Sequence, residues 1–143
     1  MVPGRAVNGT PANFPKTAHL LKHADFQRVY QNGKRHFAGN MTVFFLPREA
    51  GANSAGPRVG FTVGRVLGKA VDRNRIRRRV REAVRGQLAS ISGMAVDVVI
   101  NPKRSVLKAE FAEIEKEIEA AFAVIRQRLS RKKTETSLGT RSV

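Results

Sequence analysis

The sequence predicts a single domain of the α+β class, a small sheet packed by helices. Two observations carry that expectation. Apolar residues recur at helical spacing near the start of the chain and again over a long stretch near its end, and the segments between are rich in β-branched and aromatic residues. The length of 143 residues suits one domain of ordinary size. An apolar share of 41%, slightly below the usual globular range, leaves one modest core flanked by polar tails.

Residues 1–18 hold Pro3, Gly4, Gly9, Pro11 and Pro15 without a hydrophobic period and read as a disordered tail. The domain then spans 19–131. Its first helix is expected from about Ala24 to Gln31, with Phe26, Val29 and Tyr30 on one face at i, i+3 and i+4. Asn32-Gly33 reads as the stop, because Gly33 is free to take the left-handed conformation. The run from about His36 to Leu46, with Met41, Thr42, Val43, Phe44 and Phe45, reads as a strand. Arg48 to Pro57 is rich in Gly, Ala and Asn and reads as a surface loop. The stretch from about Arg58 to Val63 carries Val59, Phe61 and Val63 at period two and forms the next strand. A helix is expected from about Lys69 or Val71, followed by a strand at Ala95 to Ile100 that Asn101-Pro102 closes.

The last helix is marked by Phe111, Ile114, Ile118, Ala121, Phe122, Ile125 and Leu129 at steps of three and four. Glu110, Glu113, Glu115, Glu117 and Glu119 fill its first half, and Arg126, Arg128, Arg131, Lys132 and Lys133 gather at its end, which suits the helix dipole. Residues 132–143 read as a second disordered tail, polar and basic. No internal repeat is visible.

Charge narrows the function. There are 27 Lys and Arg against 11 Asp and Glu, a formal net charge of +16. Such an excess repels itself and calls for a polyanion. Nucleic acid is the first candidate and an anionic membrane the second. No stretch approaches the ~20 apolar residues of a membrane span, and the N-terminus lacks the basic-then-apolar layout of a secretory signal. The absence of cysteine excludes disulfides and thiolate metal sites. Cytoplasm is the compartment that fits.

The cations concentrate. From Arg65 to Arg85 there are nine, against only Asp72 and Glu82. On a helix, Ile76, Val80, Ala83 and Val84 share one face, with Asn74, Arg78, Arg81 and Arg85 opposite, Arg75 and Arg79 on one flank and Arg77 on the other. A merely solvated face mixes both signs, because like charges at i, i+4 oppose helix formation by a few tenths of a kcal/mol each. Here Arg73/Arg77, Arg75/Arg79, Arg77/Arg81 and Arg81/Arg85 are all like pairs. Phosphates would neutralise them, and arginine binds phosphate bidentately. Nothing resembles a zinc finger or leucine zipper, although an arginine-rich helix also fits a DNA major groove. Phe26 and Tyr30, one turn apart between Lys22 and Lys34, are either core residues or a stacking platform beside a basic groove.

The segment Val59 to Arg85, VGFTVGRVLGKAVDRNRIRRRVREAVR, resembles the signature region of the bacterial ribonuclease P protein component. Its centre is Arg73-Asn74-Arg75, then Arg77-Arg78 and Arg81-Glu82. ADFQRVYQNG, Ala24 to Gly33, is similar to that family's first helix, and DVVINP, Asp97 to Pro102, to its strand before the last helix. The likeness covers about Leu20 to Leu129. Two positions depart from it: His19-Leu20 stands where the family commonly has Arg-Leu, and Val66 where a basic residue often follows the Arg65 position.

The resemblance implies the order α-β-β-β-α-β-α, a fold like that of ribosomal protein S5 domain 2, and a left-handed βαβ crossover, against a rule obeyed in ~98% of cases. It implies a protein that does not cut RNA itself. A catalytic RNA subunit, with divalent metal such as magnesium bound mainly by that RNA, trims the 5′ leader from precursor tRNA. Carried over, Arg65, Lys69, Arg73, Asn74, Arg75, Arg77, Arg78 and Arg81 would face the RNA subunit. Phe26, Tyr30 and Lys34 would hold the single-stranded leader. No membrane or further protein partner is implied.

The residues themselves offer no polypeptide nuclease. Asp25, Glu49, Asp72, Glu82 and Asp97 are scattered, whereas metal or acid–base catalysis needs clustered groups. His19 and His23 have the i, i+4 spacing of a metal pair without a third ligand, and His36 stands alone. There is no phosphate-binding glycine loop. No catalytic residue, metal site or protein-bound cofactor is therefore expected. The competing class is a structural rRNA-binding protein with no enzyme attached.

Overall fold

The computed structural model describes residues 22–48 and 56–142, with side chains of the last helix described as far as 130. The tail at 1–18, His19 and Glu49 lie outside the described residues. The elements are α1 (His23–Asn32), β1 (Lys34–Phe37), β2 (Met41–Pro47), β3 (Arg58–Phe61), α2 (Ala70–Gln87), β4 (Val96–Pro102) and α3 (Phe111–Ser142). They form one sheet in the order β1-β2-β4-β3. β2 runs antiparallel to β1 and β4, and β3 is parallel to β4, its partner across α2.

Period two along the strands makes the two faces of the sheet. Met41, Val43 and Phe45 of β2, Val59 of β3 and Val98 and Ile100 of β4 are buried on one face. There they meet the expected apolar stripe of α2, Ile76, Val80, Ala83 and Val84, all fully buried. Ile114, Ile118, Ala121, Phe122 and Ile125 of α3 complete that core. The other face carries a smaller cluster: Val29 of α1 is buried against Val99 of β4, with Phe26, Phe44 and Leu46 packed around them.

Three boundaries differ from the sequence reading. The run from His36 to Leu46 is not one strand but parts of two, because residues 38–40 turn the chain between β1 and β2. Asn40 holds that turn. Its backbone N–H donates to Glu117 at 3.0 Å, its side-chain amide nitrogen donates to Glu117 at 2.8 Å, and its side-chain oxygen accepts from the Ser105 hydroxyl at 2.6 Å. The first-half glutamates of α3 are thus partly structural. Second, α3 remains helical to Ser142, past the domain limit at 131.

Third, Gly33 ends α1 in an extended conformation, φ −85°, not a left-handed one. It is glycine for lack of room: a Cβ there would lie 2.5 Å from the Val29 carbonyl oxygen and 2.6 Å from that of Phe45. Both obstacles are backbone. Gly33→Ala should therefore cost about 1–3 kcal/mol, the usual range for overpacking. A thermal melt checks this, and an unchanged Tm would refute the close approach.

Candidate RNA interface

The basic face of α2 begins in a tight turn. Arg65–Leu67 forms one turn of 3-10 helix, and Gly68 follows at φ +134°, a conformation that strains other residues. Asp72 then caps α2 by accepting the Lys69 backbone N–H at 3.3 Å, half of a capping box. The Arg104 guanidinium donates to the Leu67 carbonyl at 2.6 Å and lies 3.9 Å from Asp72. This pins the turn and adds a cation beside Arg65 and Lys69 that periodicity could not reveal. Val66 and Val71, at 92% and 63% exposure, lie in the same neighbourhood.

The arginines of α2 divide by what they touch. Arg79 is structural, donating to the carbonyls of Val106 at 2.7 Å, Leu107 at 3.3 Å and Ala109 at 2.8 Å. Arg73 reaches the Gly68 carbonyl at 3.3 Å, and Arg77 donates to the Asn74 side chain at 2.9 Å. Arg85 pairs with Glu82. Arg81 lies over the Phe61 ring, 5.9 Å from its centroid. Arg65, Arg75 and Arg78 are exposed and have no protein partner among the described residues. Of the eight residues expected to face RNA, Arg65 and Lys69 thus lie in the turn before α2 and the other six around the part of α2 that the core leaves uncovered, with Arg65, Arg75 and Arg78 the exposed cations without a protein partner among the described residues.

The second surface lies across the sheet. Tyr30 is 37% exposed, and its ring meets Phe44 edge-on at 4.9 Å. Its hydroxyl lies 2.6 Å from the Thr62 hydroxyl and donates to the Asn101 side-chain oxygen at 2.9 Å. Phe26 is half-buried one turn earlier. The pair is thus partly packed and partly open: Phe26 packs on the Val29–Val99 cluster and Tyr30 on Phe44, and neither ring is fully buried. Lys34 stands apart, since the register pairs it with core-facing Phe45, whereas Arg35 is paired with Phe44.

An ion network sets the position of α1. Asp97 is 1% exposed and accepts two hydrogen bonds from Arg58, both at 2.9 Å, and one from Arg48 at 2.7 Å. Arg58 also lies 3.8 Å from Asp25 of α1, which pairs with Arg28. Burial alone would raise the Asp25 pKa, but the hydrogen bond from Arg28, the charge of Arg58 and the Lys22 backbone outweigh it and hold it below its ordinary value.

The two surfaces meet at the end of β3. Phe61 lies under Arg81 of α2, and the next residue, Thr62, touches Tyr30 of α1. The positions missed from sequence, Arg35, Phe44, Thr62, Asn101 and Arg104, are placed by register and turn geometry. Of these, only Phe44 stood in the aromatic run read as a strand, and nothing in that run bears on the other four. No described helix is long and apolar enough to cross a membrane.

The family model for ribonuclease P matches residues 14–131. Among solved structures, the RNase P protein of Staphylococcus aureus is 25% identical, with 77% of this chain and 96% of that one covered and a TM-score of 0.65. A mutant of that protein, described as having defective mRNA degradation activity, aligns with a TM-score of 0.67 at 25% identity over 78% and 90% of the two chains. The RNase P protein of Thermotoga maritima shares the fold at 24% identity, 73% and 94% coverage and a TM-score of 0.62. No curated protein sequence matches the chain.

Two outcomes are expected. Arg75→Ala with Arg78→Ala should weaken RNA binding and flatten its log–log salt dependence by about one unit per lost phosphate contact, with the fold retained; an unchanged slope would place the interface elsewhere. The depressed pKa of Asp25 means that its contribution to stability is complete above the ordinary carboxylate value of 3.8 and is lost as pH falls through the lower folded value. Acid melts of the wild type and Asp25→Asn should converge over that range, the variant lacking this part of the acid sensitivity.

Proposed function

The chain belongs to the ribonuclease P family, and on that premise we propose that it is the protein subunit of a ribonucleoprotein endoribonuclease that removes the 5′ leader of precursor tRNA. The exposed cations of the turn at 65–69 and of α2 bind the catalytic RNA subunit. The α1–sheet surface at Phe26, Tyr30 and Phe44 holds the single-stranded leader, and the product is the mature tRNA 5′ end.

The observation that carries this reading is the adjacency of two unlike surfaces. One is guanidinium-rich and suits a phosphate backbone. The other is aromatic and only partly exposed, and suits unstacked bases. Consecutive residues Phe61 and Thr62 connect them. A protein that only neutralised a folded RNA would have no use for the second.

Chemistry is assigned to the RNA. The four described acids that precede residue 110 are committed to structure: Asp25 and Asp97 to arginines, Asp72 to the α2 cap, Glu82 to Arg85. In this reading the divalent metal is held mainly by the RNA, the protein binds no cofactor, and the complex works in the cytoplasm.

The test is reconstitution. The purified chain, a ribonuclease P RNA and precursor tRNA at low magnesium should give stimulated 5′ cleavage. No stimulation by folded protein would leave the rRNA-binding class instead. Within the active complex, Phe26→Ala and Tyr30→Ala should each lower affinity for precursor tRNA by about 1–3 kcal/mol and spare mature tRNA, which has no leader to stack. Lost stability with an unchanged precursor-to-mature ratio would make both residues core alone. Tyr30→Phe keeps the ring and releases Thr62 and Asn101, so it should have a smaller effect than Tyr30→Ala on that ratio.

A further inference from the structure

The open face of the sheet carries an aromatic and a cation beyond the surface just assigned. Arg35 and Phe37 alternate along β1, an edge strand. The register sets Arg35 opposite Phe44 and Phe37 opposite Thr42, so both rise from the face that carries the Tyr30–Phe44 contact. Phe37 is 69% exposed, and the Arg35 guanidinium lies 5.6 Å from its ring centroid.

These side chains form a row. Tyr30 meets Phe44, Arg35 faces Phe44 across the ladder, and Phe37 is the diagonal neighbour of Phe44, ~7–8 Å away. Single exposed apolar residues are ordinary. A phenylalanine continuous with a half-open aromatic pair, under a guanidinium, on a strand reading Lys34-Arg35-His36-Phe37 with no acid, is a more particular arrangement. It offers a π-face for a base and a fork for the adjoining phosphate. A second copy of the chain paired along β1 would set cations against cations.

We propose that Arg35 and Phe37 form an outer stacking step for single-stranded RNA, one side chain beyond Tyr30 and Phe44, which carries the strand across β2 onto β1. The identity of that strand as the leader rests on the function proposed above; the stacking chemistry does not.

The chain has no tryptophan, so Phe37→Trp creates a lone fluorescent reporter on the full-length protein. Its emission should be quenched by a single-stranded RNA oligonucleotide, and by precursor tRNA once the leader is long enough to reach β1, but not by mature tRNA. In the complex with the RNA subunit, Phe37→Ala should lower affinity about 5- to 150-fold for long-leader precursors and not for the shortest ones. Phe37→Trp should retain affinity, and Phe37→Leu should not. Substitution at so exposed a position leaves the fold intact.

If Phe26→Ala and Tyr30→Ala lower the precursor-to-mature ratio while Phe37→Ala changes it at no leader length, the outer step is refuted and the leader reading stands. If reconstitution fails but the oligonucleotide still quenches the reporter and Phe37→Ala weakens its binding, the outer step survives and the leader reading falls. Emission that changes only with protein concentration, alongside dimer formation, would assign β1 to a second copy and overturn the proposal.

Discussion

The buried carboxylate of Asp97 is the contact on which the arrangement of this molecule depends. It stands on β4 and draws in Arg58 from β3 and Arg48 from the end of β2. Arg58 continues to Asp25, and so to α1. Four separate segments are thereby fixed at one end of the sheet. Ion pairs of this kind add little net stability over an apolar replacement, but removing one partner strands the others at a cost of about 3–5 kcal/mol. Their role is positional: the network holds one end of α1, and the Tyr30 hydroxyl holds the other against Thr62 and Asn101.

The same arrangement shows how a chain of net charge +16 folds around its few acids. Five of its acids are placed where cations or amide donors would otherwise lie unpaired. Asp97 and Asp25 bind arginines near the aromatic surface of α1 and the sheet, Asp72 stabilises the start of α2, and Glu113 and Glu117 hold Asn40 in the β1–β2 turn. Arg79 needs no acid, since three carbonyls receive it. What remains exposed is the excess. Arg75 and Arg78 repel their neighbours in the free protein, and a polyanion relieves that repulsion.

Much of this was legible from periodicity. The apolar stripe of α2 is buried as the 3.6-residue spacing required, and with it the placement of its arginines on the remaining faces. The spacing in α3 likewise named its buried residues from Ile114 to Ile125. Less legible was anything set by contact between distant segments. Arg79 and Arg75 look alike in sequence, and only the chain at 106–109 separates a structural arginine from a free one. Gly33 suggested a left-handed cap, and the structure uses it for a close backbone approach instead. The turn at 38–40 was hidden because Ala38-Gly39-Asn40 is a weak signal on its own; its partners lie on α3, far along the chain. Lys34 and Arg35 exchange places relative to the aromatic surface because one residue of register decides the face.

Strand β3 is where these separate constraints become one device. It lies at the sheet edge opposite β1 and, among the described residues, pairs only with β4. Its alternation sends Val59 into the core beneath α2, while its last residue and the one after serve the two surfaces in turn. Because β3 leads into the Gly64–Gly68 turn, the backbone that supports Tyr30 also delivers Arg65 and Lys69 to the start of α2. The distance between a bound phosphate backbone and a bound single strand is then set by a few residues of rigid chain. Under the function proposed above, such a fixed separation is how a subunit that leaves the chemistry to the RNA would act on cleavage: two RNAs bound on one rigid frame would meet in an oriented way.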